Sequence, residues 1–173
     1  DQREVKTGDV AANLIQEYET RLAQEPKNMR LLRSLAELHA QKNEFDTALG
    51  YYQRMLDSGM GSDSSLEKSI ADTNLKKFDY LESKLDPNAA DYAQQVAKIK
   101  ADRQAYQLAE CKARADKFPS DLGIRFELGE LYYETGHISE AIQELQKSQN
   151  NPHRRVQSLL YLGRCFARRN MND

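Results

Sequence analysis

The chain has 173 residues, with 25 Lys and Arg against 27 Asp and Glu and a formal net charge of -2. That balance, and a pI near 6.0, argue against a protein that holds DNA or RNA by bulk charge. Two cysteines cannot form a disulfide framework, and four Val, six Ile and five Thr are too few β-branched residues for a sheet protein. The mean hydropathy of -0.82 fits a soluble segment, and no apolar run approaches the roughly 20 residues that span a bilayer. The expectation is an almost all-helical chain of single-domain length.

Helical periodicity with punctuation recurs along the sequence. A first helix is expected over 10–24, capped by Asp9, with Leu14, Ile15, Tyr18 and Leu22 on one face; residues 1–8 read as loosely ordered. A second, over 28–42, carries Leu31, Leu32, Leu35 and Leu38. A third begins at Asp46 as its cap and presents Ala48, Leu49, Tyr52 and Met55. Residues 57–63 form a flexible, turn-rich connection, after which Ser64 and Glu67 read as a capping box opening a fourth helix to 85. Asp86-Pro87-Asn88 breaks that helix, and Asn88 is placed to cap a fifth over 89–117, roughly 43 Å long if continuous. Its seam, Tyr92, Val96, Ile99 and Tyr106, is interrupted by Arg103, and two shorter helices breaking at 100–103 are the alternative. Phe118-Pro119-Ser120-Asp121 ends the fifth helix and caps a sixth that Gly136 stops, Ser139 caps a seventh to 149, and an eighth runs from 154.

The most specific signal is internal repetition. Leu128-Gly129-Glu130-Leu131-Tyr132 matches Leu162-Gly163-Arg164-Cys165-Phe166 at an offset of 34, and Pro119 and Pro152 keep a step of 33. Leu-Gly at 128–129 is followed by Tyr132-Tyr133, Gly136, Ala141 and Leu145. An earlier unit carries Leu35-Ala36, His39, Asn43-Glu44-Phe45, Ala48, Tyr52 and Met55 in the corresponding order. This pattern resembles the tetratricopeptide repeat, a pair of antiparallel helices with small residues where they cross. Helix axes approach to about 8–10 Å only where a side chain is no larger than a methyl. The packing set is therefore Leu35, Ala36, Ala48, Tyr52, Leu128, Gly129, Tyr132, Ala141, Leu145, Leu162, Gly163 and Phe166.

The resemblance implies an all-α fold, antiparallel helical hairpins stacked as a right-handed solenoid fragment. Its expected segments are 10–26 as the second helix of a preceding repeat, 28–57 as a repeat, 62–118 as an irregular long hairpin, 119–151 as a repeat and 152–173 as the first helix of a truncated one. From Ala36 to Gly129 is 93 residues where two steps of 34 take 68, so the central hairpin is over-long by 25. Both ends read as cuts through a longer protein, which leaves the compartment open and a signal or anchor missing from view.

No residue set points to catalysis, a cofactor or a metal. His39, His137, His153, Cys111 and Cys165 are scattered without zinc-ligand spacing, and Gly59 and Gly61 lack the Lys-Ser/Thr of a phosphate loop. Glu127, Glu130 and Glu134 read as a solvated helix face. The expectation is a non-enzymatic interaction or scaffolding module with a protein or peptide partner. In the family resembled, the first helix of each hairpin lines a concave groove for a peptide or helix. Carried over, these positions are Arg33, Glu37 and Ala40; Phe126, Glu130 and Tyr133; and Leu160, Arg164 and Ala167, with Arg168 beside them. Family members that clamp a chaperone's C-terminal carboxylate place Lys and Asn where Arg33 and Glu37 stand, so that ligand is not expected. Arg154, Arg155, Arg164, Arg168 and Arg169 make the last helix basic. The alternatives are thus contact with RNA or another polyanion through that helix, or a purely architectural spacer. Self-association is open through the last helix or the long hairpin.

Overall fold

The computed structural model describes residues 2–59 and 63–170, those before residue 10 by backbone alone. Among them are eight helices and no strand: α1 (Gln2–Gln24), α2 (Met29–Gln41), α3 (Phe45–Asp57), α4 (Ser64–Ser83), α5 (Tyr92–Lys117), α6 (Leu122–Glu134), α7 (Ile138–Ser148) and α8 (Arg155–Asn170). The chain divides into two compact units, residues 1–100 and 101–173, with the division inside α5. That helix runs unbroken through 100–103 for 26 residues, about 39 Å.

Several ends differ from the sequence expectation. α1 begins at Gln2, so Asp9 lies within it and not at its start, and residues 2–8 are helical rather than loose. α3 starts at Phe45 after Glu44, which makes no side-chain cap and instead pairs with His39 and Lys42; Asp46 sits in the first turn. Asp63 rather than Ser64 caps α4, accepting a 2.6 Å bond from the Leu66 amide. Asn88 stays in the turn, where its amide donates to Asp86, and α5 starts four residues later. His137 precedes α7 without a side-chain cap, so Ser139 is already helical. Asp121 caps α6 as expected, and Asn28, expected as the first residue of its helix, instead caps α2; each accepts two backbone N–H groups. Gly136 takes φ +82°, the left-handed conformation that ends α6. The connection expected at 57–63 includes residues 60–62, and the tail expected beyond α8 is residues 171–173; both lie outside the described residues.

In the first unit, Ile15 and Leu22 of α1 pack on Leu31, Leu32, Leu35 and Ala36 of α2, with Tyr52 and Met55 of α3 and Leu66 of α4 closing the core. Ala48 is fully buried. His39 is buried at this junction, stacked on Tyr51 at 5.4 Å and bonded through Nδ1 to Glu44.

In the second unit, Cys111 and Ala115 of α5 meet Ile124, Leu128 and Leu131 of α6. On the other side of α6, Phe126 joins Ala141, Ile142 and Leu145 of α7 and Leu162 and Cys165 of α8. The approach of α6 to α7 is decided at Gly129. A Cβ there would lie 2.7 Å from Leu145 Cγ and 3.3 Å from the Leu145 backbone nitrogen, and Leu145 is fully buried. α7 and α8 meet through a polar contact, the fully buried Ser148 and Ser158 hydroxyls 2.8 Å apart, each also within hydrogen-bonding distance of a carbonyl one turn back, so that one hydroxyl donates to the other serine and the second to its carbonyl. Arg114, 3% exposed, is held by Glu110 on its own helix and Glu127 on α6, so its charge is buried with partners on both sides.

Two residues of the packing set sit differently from the expectation. Gly163 is exposed with open space around it, and Phe166 is 45% exposed. Both lie on the side of α8 away from α7, and no described helix follows α8 to cover them. Tyr132 is half-buried between the two clusters of the second unit.

The two glycines give opposite expectations on substitution. Gly129→Ala overpacks a contact that cannot relax and should cost about 1–3 kcal/mol. Gly163→Ala meets nothing and should be neutral or stabilising by up to about 1 kcal/mol through helix propensity. Urea denaturation of the two variants beside the parent chain checks the pair; equal effects would contradict this account of the α6–α7 crossing.

Candidate functional site

The richest side-chain constellation lies where α6 and α8 run side by side in the second unit. Ile124, Leu128 and Leu131 turn one face of α6 to α5, which leaves Phe126, Glu130 and Tyr133 on another face beside α8. Tyr161 of α8 stands between the two α6 rings, edge-on to Phe126 at 6.0 Å and to Tyr133 at 5.5 Å. Three guanidinium groups cover this row. Arg154 lies 5.2 Å from the Phe126 ring centre, Arg164 5.2 Å from Tyr161, and Arg168 5.4 Å from Tyr133. A guanidinium over a ring keeps its edge N–H groups free to donate. Arg168 uses one of them on the Tyr133 carbonyl at 3.1 Å.

Glu130 sits under this row. Burial pushes its carboxyl above the usual carboxylate range, opposed by a hydrogen bond from the Tyr161 hydroxyl. The same burial, together with that carboxylate, pushes the Tyr161 hydroxyl upward. The acidic row read from sequence as solvated is therefore corrected. Glu127 holds Arg114, Glu130 is half-buried against Tyr161, and Glu134 alone is exposed. The sequence showed equal spacing and gave no sign of what faced each carboxylate.

The nominated groove residues have different environments. Phe126 is 4% exposed, a core residue with one face under Arg154, and Ala40 is buried as well. Tyr133 is half-buried; Leu160, Arg164, Ala167 and Arg168 are exposed. Arg33, Glu37 and Ala40 belong to the first unit. There Arg33 reaches the Ser65 and Ser69 hydroxyls at 3.5 and 3.4 Å, and Glu37 is exposed. Glu37 and Ala40 line a cleft of about 290 Å³ with Tyr52, Asp72, Thr73 and Lys76. Sequence reasoning missed Tyr161 and Arg154 as members of the α6–α8 face. The signal available was Tyr161 three residues before Arg164, a spacing that stacks side chains on one helix face.

Comparison with known proteins now bears on what such hairpins are. A family profile described as tetratricopeptide repeat matches residues 9–63, the stretch from within α1 through α3. The crystal structure of MamA, a protein of this repeat class, superposes with a TM-score of 0.50 at 12% identity, covering 96% of this chain and 83% of MamA. Residues 9–63 therefore match the tetratricopeptide-repeat model, and the likeness to MamA shows the fold. YrrB, described as a TPR protein with an unusual peptide-binding site, is similar at a TM-score of 0.45 and 14% identity, over 88% of this chain and 84% of its own. No curated protein sequence matches significantly.

The chain is thus all-α among the described residues, with the helical-repeat fold. Among the described residues no group of three or more His, Cys, Asp and Glu is placed to hold a metal ion, and no helix is long and apolar enough to cross a membrane. Cys111 and Cys165 are fully buried, and burial pushes the Cys165 thiol up, away from the thiolate form.

Glu130 supplies a pH-dependent expectation. Its folded carboxyl titrates above the ordinary carboxylate range, so the native state binds a proton more readily than the unfolded chain. Stability from this group is greatest at low pH and is lost as pH rises through the folded value. Glu130→Gln keeps an acceptor for Tyr161 and should be more stable than the parent at pH 7, with the advantage shrinking as pH falls toward 4.5. Urea midpoints at pH 5 and 7 measure it; an advantage that grew on acidification would contradict the placement of Glu130.

Proposed function

We propose that the chain is a non-enzymatic interaction module whose α6–α8 face receives an extended acidic peptide. One observation carries the reading: Phe126, Tyr161 and Tyr133 form a row beneath Arg154, Arg164 and Arg168. Arginines lying over rings have lost part of their rotamer freedom before any ligand arrives, so less entropy remains to be lost on binding. Their in-plane donors suit carboxylates, which accept two parallel N–H bonds from one guanidinium. The exposed Leu160 and Ala167 offer apolar contact beside these donors for a side chain of the peptide. Arg33 and Glu37, beside the first unit's cleft, are a second and more polar place for a partner to touch.

Contact with RNA through α8 uses the same arginines and is separated by its dependence on salt. Each neutralised phosphate releases counterions, which makes the affinity fall steeply with ionic strength.

A fluorescein-labelled peptide of sequence Asp-Glu-Asp-Phe-Glu-Glu-Leu, titrated with the chain and followed by anisotropy, tests the proposal. Arg164→Gln with Arg168→Gln should weaken binding at least tenfold with unchanged circular dichroism. Phe126→Ala is unsuitable because it opens a core cavity. Binding unaffected by the double substitution removes the peptide from this face. Tighter binding of an oligouridylate with a steep salt dependence assigns the face to RNA instead.

A further inference from the structure

A buried nitrogen of the first unit has no hydrogen-bond partner, and a carboxylate stands just out of its reach. The nitrogen is Nε2 of His39, a residue 7% exposed. The other ring nitrogen, Nδ1, bonds the Glu44 carboxylate. Glu44 is also paired with Lys42 at 2.8 Å, and the bonds from Lys42 and then His39 hold its carboxyl below the usual range. An ionised Glu44 only accepts, so the neutral ring keeps its proton on Nδ1 and leaves Nε2 a bare lone pair. Burying such an acceptor without a donor is unfavourable.

Glu19 of α1 faces that lone pair. Its Oε1 lies 4.0 Å from Nε2, beyond a hydrogen bond, and accepts the Tyr51 hydroxyl at 3.1 Å. The Tyr51 ring stacks on the imidazole with 20° between the planes, so α1, α2 and α3 meet at this point. Burial, then the bond to Glu19, pushes the Tyr51 hydroxyl up, which keeps it a donor. Glu19 stands four residues after Ile15 and three before Leu22, the two buried side chains that seat α1 on α2. It is exposed on its other side, where it lines a cleft of about 360 Å³ with Leu22, Pro26, Tyr51 and Arg54. The carboxylate thus has room to shift toward the ring.

We propose that His39 and Glu19 form a proton-operated latch: a second proton on the imidazole, taken from solvent and carried at Nε2, closes a bond to Glu19 and fixes α1 against α2 and α3. With that proton on, the ring donates to a carboxylate from each nitrogen, and a buried cation so paired is tolerated. With it off, two acceptors oppose one another across the gap. The contact therefore holds on the acid side and is lost as pH rises. His39 faces Glu19 from α1, Glu44 and Lys42 from the turn after α2, and Tyr51 with Arg54 over its ring from α3. Of these side-chain types, imidazole is the one that ordinarily changes charge between pH 5 and 8.

Hydrogen–deuterium exchange of the full chain at pH 5.5 and 8.0 tests the latch, with each rate divided by the intrinsic rate at that pH. Protection of the α1 amides over 10–24 should fall about fivefold or more from pH 5.5 to 8.0, while α3 amides over 45–57 change less than about twofold. In Glu19→Gln the side-chain amide donates to the bare Nε2 and its oxygen accepts from the protonated one, so α1 protection should be the same at both pH values. Glu19 is exposed, so this variant folds, which circular dichroism verifies. Nitrogen-15 spectra of the labelled imidazole should show Nε2 protonated at pH 5.5 and bare at pH 8.0. Equal α1 protection at the two pH values in the parent chain overturns the proposal. So does a pH difference that persists in Glu19→Gln, or an Nε2 that still carries the proton at pH 8.0.

Discussion

The arrangement of the second unit follows from the near-contact of two backbones at Gly129. Where a methyl group would strike Leu145, α7 lies close enough to α6 for Ala141, Ile142 and Leu145 to share one core with Phe126 and with Leu162 and Cys165 of α8. α8 then comes to rest beside α6 as well as on α7, and this side-by-side placement puts Tyr161 between Phe126 and Tyr133. A wider crossing would separate those rings and leave the arginines without a surface to lie on. The proposed binding face thus depends on packing on the opposite side of the same helices, which is the general logic of stacked hairpins.

Much of this was legible in the sequence because the constraint is steric and periodic. Leu-Gly at 128–129 and again at 162–163, with Ala141 and Leu145 at fixed distances, specified a helical hairpin. Asp121 and Gly136 marked their helix boundaries because each has a single physical role at that place. Boundaries set by weaker competition were displaced by one or more residues. Ser64 lost to Asp63, Ser139 was drawn into the helix, and Asp9 was overrun by a longer α1. Capping residues compete with neighbours for one position, and the difference between two adequate candidates is about a kcal/mol or less.

The candidate site was less legible because its contacts join residues far apart in sequence. A row of glutamates at 127, 130 and 134 looks uniform in one dimension. In three, Glu127 faces the buried Arg114 from α5, Glu130 faces Tyr161 from α8, and Glu134 faces solvent. The arginines of α8 likewise looked like one basic run. They divide instead between those over rings, at 154, 164 and 168, and the exposed Arg155 and Arg169. Which neighbour a charged side chain meets depends on helix phase as well as on sequence distance, and phase becomes known only when the partner helix is placed.

Over the rings, a guanidinium is already ordered, and the groups it offers are hydrogen-bond donors at fixed positions, suited to carboxylates of an extended chain. The ligand proposed for this face therefore needs closely spaced acids and no secondary structure of its own, because the donors are held in place by the rings beneath them and not by the ligand.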